Sequence, residues 1–166
     1  KKGVTVLEEA RRDKLDLDWR NIIFMSLTHI LAMGTLVWAA LPDRAFHGGS
    51  WLLALVWLCL CNLSVGAGLH RCYAHRTHEP SALMEGFYLL FGAASLQGSA
   101  LEWAGKHRMH HSFSDRAEDP YGVNRGFWWA HILWGFRKAA PSRSYVIKDI
   151  ESRPLVRLQS KMYLPM

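Results

Sequence analysis

The sequence has few cysteines, and they are not paired in the way that a structural zinc site requires. Its three cysteines, Cys59, Cys61 and Cys72, all lie in or beside one apolar run. Structural zinc sites draw on cysteine pairs, or on a cysteine pair and a histidine pair, at characteristic spacings. Thiolate ligation is therefore excluded as the basis of a metal site, and we expect these residues to be ordinary thiols that pack as small apolar side chains.

Formal charge is absent from two long stretches, residues 22–41 and 51–69. A helix needs roughly 20 apolar residues to cross a bilayer, and each stretch is about that long. The alternative, two core helices of a soluble protein, is disfavoured because the rest of the chain supplies no amphipathic helices to cover them. A cleaved signal peptide is disfavoured because a charged segment precedes the first stretch. The sequence therefore predicts an all-α integral membrane protein with a hairpin of two transmembrane helices.

Positive charge is scarce between these two stretches. Of the 20 Lys and Arg residues, six precede Ile22, thirteen follow Leu69, and only Arg44 lies in the intervening loop. Because positive residues favour the cytoplasmic side, both ends of the chain are predicted to be cytoplasmic, with residues 1–18 forming an arm. The net charge of +6 requires no nucleic acid, since membrane lipid headgroups and an anionic substrate account for it.

A third apolar run, residues 83–104, carries Glu85, Gln97 and Glu102. It is predicted to be an interfacial helix that returns to the side it left, because a crossing would separate the histidines on its two flanks by about 30 Å. The tryptophan-rich residues 126–136 are too short to span and suit the membrane interface. Residues 139–166 are predicted to be a basic cytoplasmic segment with some helix.

Six of the nine histidines lie in two short stretches, "HRCYAHRTH" and "KHRMHHSF". His107, His110 and His111 fall within about 100° of arc on one helical face, so their imidazoles can converge on a metal. His70 and His75 are offset by about 140° on a regular helix. The helix must therefore end or distort between them, unless they bind different metals. An all-imidazole ligand set suits iron, zinc, copper or nickel.

The two boxes and their surroundings resemble a known family of membrane enzymes. "HRCYAH" is an HxxxxH box, "HRMHH" is an HxxHH box, and "EDPYGVNRGFWWAH" follows the second box. With "WRNIIFMSLTH" at the first span and Arg137-Lys138, the match runs from about Trp19 to Lys138. The chain resembles the membrane-bound di-iron fatty acyl-CoA desaturases of the stearoyl-CoA (delta-9) type.

This resemblance implies an oxidoreductase that uses O2 and two iron ions (Fe²⁺) to introduce a cis double bond into a saturated acyl chain. It implies an external electron donor, either a b-type cytochrome or a ferredoxin. The metal ligands implied by the match are His70, His75, His107, His110 and His111.

The same match implies a substrate site. Asn21, Arg137 and Lys138 would hold the CoA end, and Gln97 with Trp103 would line the bend of the acyl tunnel. Gly98 stands where animal relatives have an asparagine, and Gly105-Lys106 replaces an Arg-Asp pair. These departures keep a lipid-linked acyl chain open as the substrate.

The family's third histidine box and last two spans do not occur in the sequence. We therefore expect residues 19–138 to be a partial desaturase domain, part of a longer protein, and inactive alone. Two other functions remain open: a desaturase or hydroxylase acting on sphingolipids or lipid-linked chains, and a histidine-rich membrane metal carrier. Carriers place polar ligands inside their spans, where this sequence offers only His29 and Asn62. We expect His29, His47, His78 and His131 to serve packing or hydrogen bonding.

Overall fold

The structure is a computed structural model that describes residues 17–41, 46–116, 119–138 and 147–163. The predicted all-α class is confirmed: within these residues, the extended structure amounts to one isolated antiparallel bridge, between Leu17 and Arg137. Most of the predicted arm, residues 1–16, lies outside the described residues. The helices, in chain order, are α1 (Trp19–Ala39), α2 (Gly48–Leu63), a π-helix (Ser64–Ala74), α3 (Ala82–Ala94), α4 (Ala100–Phe113), α5 (Phe127–His131), α6 (Lys148–Glu151) and α7 (Pro154–Met162), with 3-10 turns at Val123–Arg125 and Leu133–Phe136.

Helix α1 and the continuous helix formed by α2 and the π-helix are long and apolar enough to cross a membrane. Helix α1 has 21 residues, which corresponds to about 31 Å at 1.5 Å per residue. None of the residues of α1 is buried inside the protein. The continuous helix Gly48–Ala74 has 27 residues. An apolar helix that stays uncovered suits lipid rather than a soluble core. The two predicted spans are confirmed, with bounds shifted from residues 22–41 and 51–69.

Contacts at both ends hold α1 in place. At its C-terminal end, Phe46 packs between Trp38 and Trp51, with ring centroids 5.1 and 5.8 Å away. At its N-terminal end, Asp18 caps the helix by accepting a hydrogen bond from the backbone amide of Asn21. The backbone amide of Asp18 in turn donates to the carbonyl oxygen of Phe136. The start of α1 therefore lies beside the segment that follows the second histidine box.

The second long helix changes from α to π geometry before it reaches the first histidine box. The backbone amide of His75 donates to the carbonyl oxygen of His70, five residues earlier. Bonds of this i→i+5 type define a π-helix, and they bring residues five apart onto one face. The sequence predicted that the helix ends or distorts between His70 and His75, or that the two residues bind different metals. The structure shows that the helix distorts.

Residues 83–104 do not form the single helix predicted from the sequence. Helix α3 ends at Ala94 and α4 begins at Ala100, with Leu96 and Gly98 between them at φ values of 60° and 101°. This left-handed backbone ends the first helix. Ser99 and Glu102 then form a capping box that starts the second. The apolar pattern concealed the break because both helices are apolar where they join.

Helices α3 and α4 form a hairpin against the π-helix. Gly68 of the π-helix lies against the ring of Tyr88, and Gly92 of α3 lies against Leu69. The break between the helices lets α4 return, so that its histidines meet those of the first box. The predicted return of this run to its starting side follows from that meeting, because imidazoles in contact cannot lie on opposite faces of a bilayer.

The basic segment predicted over residues 139–166 contributes to the packed core. Ile150 of α6 and Val156 of α7 are buried in the same cluster as Leu69 and Tyr73. The side chain of Gln159 accepts a hydrogen bond from the backbone amide of Ala100, at the start of α4. The tail therefore supports the helix that carries the second box. Residues 139–146 lie outside the described residues.

The return of the chain can be tested by labelling. In a background whose native cysteines are replaced by alanine, we expect Thr77→Cys and Ser112→Cys to react with a membrane-impermeant maleimide from the same side. Both positions are exposed and adjoin the two boxes. Ser50→Cys, at the other end of α2, should react from the opposite side. Reaction of the first two positions from opposite sides would contradict the fold.

The close approach at Gly68 gives a second prediction. A Cβ atom at Gly68 would lie 2.7 Å from Cβ of Tyr88, whereas one at Gly66 would have no neighbour within 4 Å. Gly68→Ala should therefore destabilise the folded protein by about 1–3 kcal/mol through overpacking. Gly66→Ala, in the same π-helix, is the matched control and should have little effect. Equal melting temperatures for the two variants in detergent would show that the contact between α3 and the π-helix is looser than described.

Candidate metal centre

Four imidazoles from the two boxes converge on one point. They belong to His70, His75, His107 and His111, and one ring nitrogen from each lies within 4.8 Å of all the others. The Nε2 atom of His75 is 3.0 Å from that of His70 and 3.3 Å from that of His107. The Nε2 atoms of His107 and His111 are 3.0 Å apart. The π-helix, with His75 directly after its last residue, thus supplies one wall of the cluster, and α4 supplies the other.

The spacing of these nitrogens fits a shared metal ion. Metal–imidazole bonds of 2.0–2.1 Å place neighbouring ligand nitrogens roughly 2.9–3.4 Å apart in octahedral or tetrahedral geometry. Hydrogen bonds alone would satisfy the cluster poorly. A ring nitrogen of neutral imidazole either donates or accepts, and His75 and His107 each direct one Nε2 at two others. A cation that accepts all four lone pairs removes this conflict.

The protonation of the cluster also suits metal binding. Burial, followed by repulsion from the neighbouring histidines, lowers the pKa of His107 to about 4. Burial and the charges of His70, His111 and Arg108 lower the pKa of His75 in the same direction. These two imidazoles are therefore neutral at pH 7, with a lone pair available to a metal.

His110, the fifth predicted ligand, is not among the four converging imidazoles. Its Nδ1 atom lies 2.9 Å from both carboxylate oxygens of Asp119, and its ring stacks on Tyr121. A carboxylate that accepts the Nδ1 proton leaves Nε2 of the same ring as the lone-pair donor, a common arrangement for metal-binding histidines. His110 therefore has its ring orientation fixed but lies beside the cluster rather than in it.

Asp119 and Tyr121 are functional candidates that the sequence analysis did not identify. Asp119 is buried, and burial by itself raises its pKa, but hydrogen bonds from His110 and the backbone amides of Asp115 and Tyr121 lower that pKa overall. The hydroxyl of Tyr121 lies 3.2 Å from Nδ1 of His107. Both residues belong to "EDPYG", and an acidic residue shortly after a histidine box was the available signal.

Gln97 and Trp103, the predicted tunnel residues, lie together next to the cluster. The indole nitrogen of Trp103 donates to the side-chain oxygen of Gln97 at 3.0 Å. The indole stacks on the ring of His107 with centroids 4.9 Å apart. Gln97 also lines an open, mainly apolar groove of about 820 Å³ between α2 and the end of α3. The pair therefore joins an apolar surface to the metal-binding face of α4.

Of the three residues predicted to hold the polar end of a substrate, Asn21 and Arg137 lie at the start of α1, and Lys138 follows Arg137 in the chain. The side-chain amide of Asn21 donates to the carbonyl oxygen of Gly135. Arg137 pairs through its backbone with Leu17, just before α1. This corner connects to the cluster through Tyr121, since Trp134 packs on the Tyr121 ring and the Tyr121 hydroxyl lies 3.2 Å from Nδ1 of His107.

Three of the four remaining histidines, His29, His78 and His131, make local contacts, as expected. The ring of His29 hydrogen-bonds to the carbonyl oxygen of Met25 in its own helix. His78 contacts Thr77 and Tyr88, and His131 stacks on Phe127. His47 precedes the first residue of α2 without capping it through its side chain.

No protein-family model matches the chain. Curated relatives do match most of it. It is 31% identical over 161 residues to stearoyl-CoA desaturase 4 of Mus musculus, covering 94% of this chain and 44% of that protein. It is 34% identical over 128 residues to the sn-1 stearoyl-lipid 9-desaturase of Synechocystis sp., covering 77% of this chain and 39% of that protein. It is 30% identical over 168 residues to the acyl-CoA Delta(11) desaturase of Choristoneura rosaceana, covering 96% of this chain and 48% of that protein.

Removal of a central imidazole tests the cluster directly. His107→Ala should lower the amount of iron or cobalt bound by the purified full chain to less than a tenth of the wild-type value, because Nε2 of His107 contacts two of the other three nitrogens. Metal content measured by mass spectrometry after dialysis reports the result. His131→Ala, outside the cluster, is the control and should bind as the wild type does. Full metal content in His107→Ala would refute the assignment of His107 as a ligand.

Proposed function

Because the chain belongs to the family of the membrane-bound stearoyl-CoA and acyl-CoA desaturases, we propose that it forms part of an O2-dependent enzyme that desaturates fatty acyl chains. The chain spans somewhat less than half the length of the curated relatives it matches. The observation that carries the proposal is the convergence of four imidazoles from two separate boxes. The identity of the metal, the position of the double bond and the carrier of the acyl chain are parts of the same proposal.

The metal we propose is iron, as two ions in the complete enzyme. When bound, it would supply the oxidising power that removes hydrogen from unactivated methylene groups, with electrons from an external donor and O2 as oxidant. His70, His75, His107 and His111 would hold one part of the centre. His110, oriented by Asp119, would contribute to another part. The donor, a b-type cytochrome or a ferredoxin, would approach from the cytoplasmic side, where we also place the ends of the chain.

Gln97 and Trp103 would position the acyl chain. Their hydrogen bond fixes the indole plane, and the indole is already stacked on a proposed metal ligand, His107. An acyl chain that bends against this pair would present one carbon pair to the metals. Such positioning matters because adjacent methylenes in a saturated chain are chemically alike, so geometry alone selects among them. We propose desaturation at the delta-9 position.

Asn21, Arg137 and Lys138 would bind the anionic end of the substrate. Arginine and lysine side chains suit phosphate oxygens, and the residues lie at the end of α1 that adjoins the boxes. We propose acyl-CoA as the carrier. A lipid-linked chain is the alternative, and it gains weight from the cyanobacterial relative whose name specifies a stearoyl-lipid substrate. Gly98 and Gly105-Lys106, where the sequence departs from the pattern of the animal enzymes that it resembles, favour the same alternative.

The metal-carrier hypothesis receives little support. His29 and Asn62, the two candidate ligands inside the spans, bond within their own helices, to the carbonyl oxygens of Met25 and Leu58. A carrier needs ligands along a path through the membrane. The imidazole cluster lies instead at the end of the second long helix.

The proposal is tested with the full-length protein in liposomes, supplied with a reducing system, O2 and stearoyl-CoA. We expect an 18-carbon product with a cis double bond at position 9, and O2 consumption that requires the acyl substrate. Desaturation of a stearoyl phospholipid but not of stearoyl-CoA would establish the lipid-linked alternative. A hydroxylated product would establish the hydroxylase alternative, and no acyl product under either condition would refute the proposal.

A charge reversal then locates the polar end of the substrate. Arg137→Glu with Lys138→Glu should raise KM for stearoyl-CoA about tenfold or more while iron content stays unchanged, because phosphate contacts are lost. Arg157→Glu with Lys161→Glu makes the same change in net charge on α7, where both side chains are exposed. If both pairs change KM equally, the effect comes from general attraction to the membrane surface.

A further inference from the structure

Arg108 lies between the metal-binding residues of the second box in the sequence but does not point into the cluster. Its side chain is 9% exposed, whereas the imidazoles of His75 and His111 on the cluster side are exposed. The guanidinium donates to the carbonyl oxygens of Tyr73 and Ala74. These are the last two residues of the π-helix that carries His70. Arg108 therefore links the helix of the second box to the end of the helix of the first.

The end of a helix is a favourable place for a guanidinium group. The last carbonyls of a helix have no partner within it, and they form the negative end of the helix dipole. A guanidinium presents several N–H donors in a fixed plane, so it can bind two adjacent carbonyls and a carboxylate together. Lysine has one charged nitrogen and cannot reproduce this set of bonds.

Asp149 of α6 completes the arrangement from the tail of the chain. Its carboxylate accepts two hydrogen bonds from Arg108, at 2.6 and 2.9 Å, and one from Arg76 at 2.7 Å. These hydrogen bonds, with that of Arg108 the strongest, outweigh burial and hold the pKa of Asp149 below its usual range. The carboxylate is therefore ionised at neutral pH and orients the guanidinium of Arg108 toward the end of the π-helix.

We propose that Arg108 and Asp149 are positioning residues that set the separation of the two histidine boxes. Neither touches the converging nitrogens. Both act through the backbone of residues 73–74, which lies between His70 and His75, and through α4, which carries His107 and His111. A small shift of one wall against the other would separate the Nε2 atoms of His75 and His107, which are now 3.3 Å apart. The tail segment around Asp149 thereby becomes part of the metal centre without supplying a ligand.

The test measures metal affinity in the full chain, in detergent, by cobalt(II) titration followed through its visible absorption. Groups that orient metal ligands typically change affinity by 10–100-fold when they are removed. Asp149→Asn should weaken cobalt binding about tenfold or more and alter the absorption spectrum. Asp149→Glu, which keeps the carboxylate, should restore part of the affinity.

Two matched variants separate positioning from loss of charge. Glu151→Gln removes an acidic group from an exposed position of the same helix, and Arg76→Gln removes an exposed guanidinium that pairs with Asp149 and does not itself bind the π-helix carbonyls. Both should bind cobalt within about threefold of the wild type. If Arg76→Gln weakens binding as much as Asp149→Asn does, the ion pair at the surface explains the effect and the proposal is wrong.

Stability is measured separately, by thermal unfolding of the metal-free variants. A lower melting temperature for Asp149→Asn with unchanged cobalt affinity would show a purely structural role and overturn the proposal. If Asp149→Asn does not fold, Arg108→Lys is measured instead, because lysine keeps the positive charge but cannot bind two carbonyls and a carboxylate together. Unchanged cobalt affinity and an unchanged spectrum would overturn the proposal, and weaker binding would support it. The inference rests on the metal centre of the proposed function. If the wild-type chain binds no cobalt, the proposed metal centre is wrong. If the wild type binds cobalt and the Asp149 and Arg108 variants bind it equally well, only the positioning role is wrong.

Discussion

The convergence of imidazole nitrogens is the constraint on which the rest of the fold depends. Nitrogens that share a metal must lie about 3 Å apart, and here they come from two groups of histidines, with His75 and His107 separated by 32 residues of chain. The chain between them must therefore leave the first box and return to the same side. The break after α3 and the close packing of α3 on the π-helix accomplish that return.

The same constraint explains why the second long helix departs from α geometry. His70 and His75 are five residues apart, and a regular α-helix would direct them to different faces. The π-helical hydrogen bond between them brings both rings to the side of α4. Such departures occur frequently at functional sites. Gly68 accommodates the ring of Tyr88 nearby, so the unusual helix is also the surface against which α3 packs.

Buried polar contacts hold the walls of the cluster from behind. Asp119 and Tyr121 orient His110 and His107, and Arg108 binds the last carbonyls of the π-helix. Asp119 and Tyr121 come from a segment that an apolar or histidine pattern does not distinguish from a loop, and the role of Arg108, inside the second box, depends on its distant partners. Their partners lie up to 41 residues away in sequence. They belong to the site because of where the chain brings them.

The sequence alone determined the all-α class, the two spans and the two groups of histidines, because these depend on local properties: the length of an uncharged run and the spacing of residues on a helix. It also placed the three imidazoles of the second box on one helical face. The structure directs His107 and His111 into the cluster and His110 to Asp119. Only the tertiary structure decided between the alternatives at His70 and His75, divided residues 83–104 into two helices, and made the tail part of the core. The physical reason is that the π-helical distortion, the break between α3 and α4 and the pairing of Arg108 with Asp149 depend on contacts between distant segments. The energies of such contacts cannot be read from any single stretch of sequence.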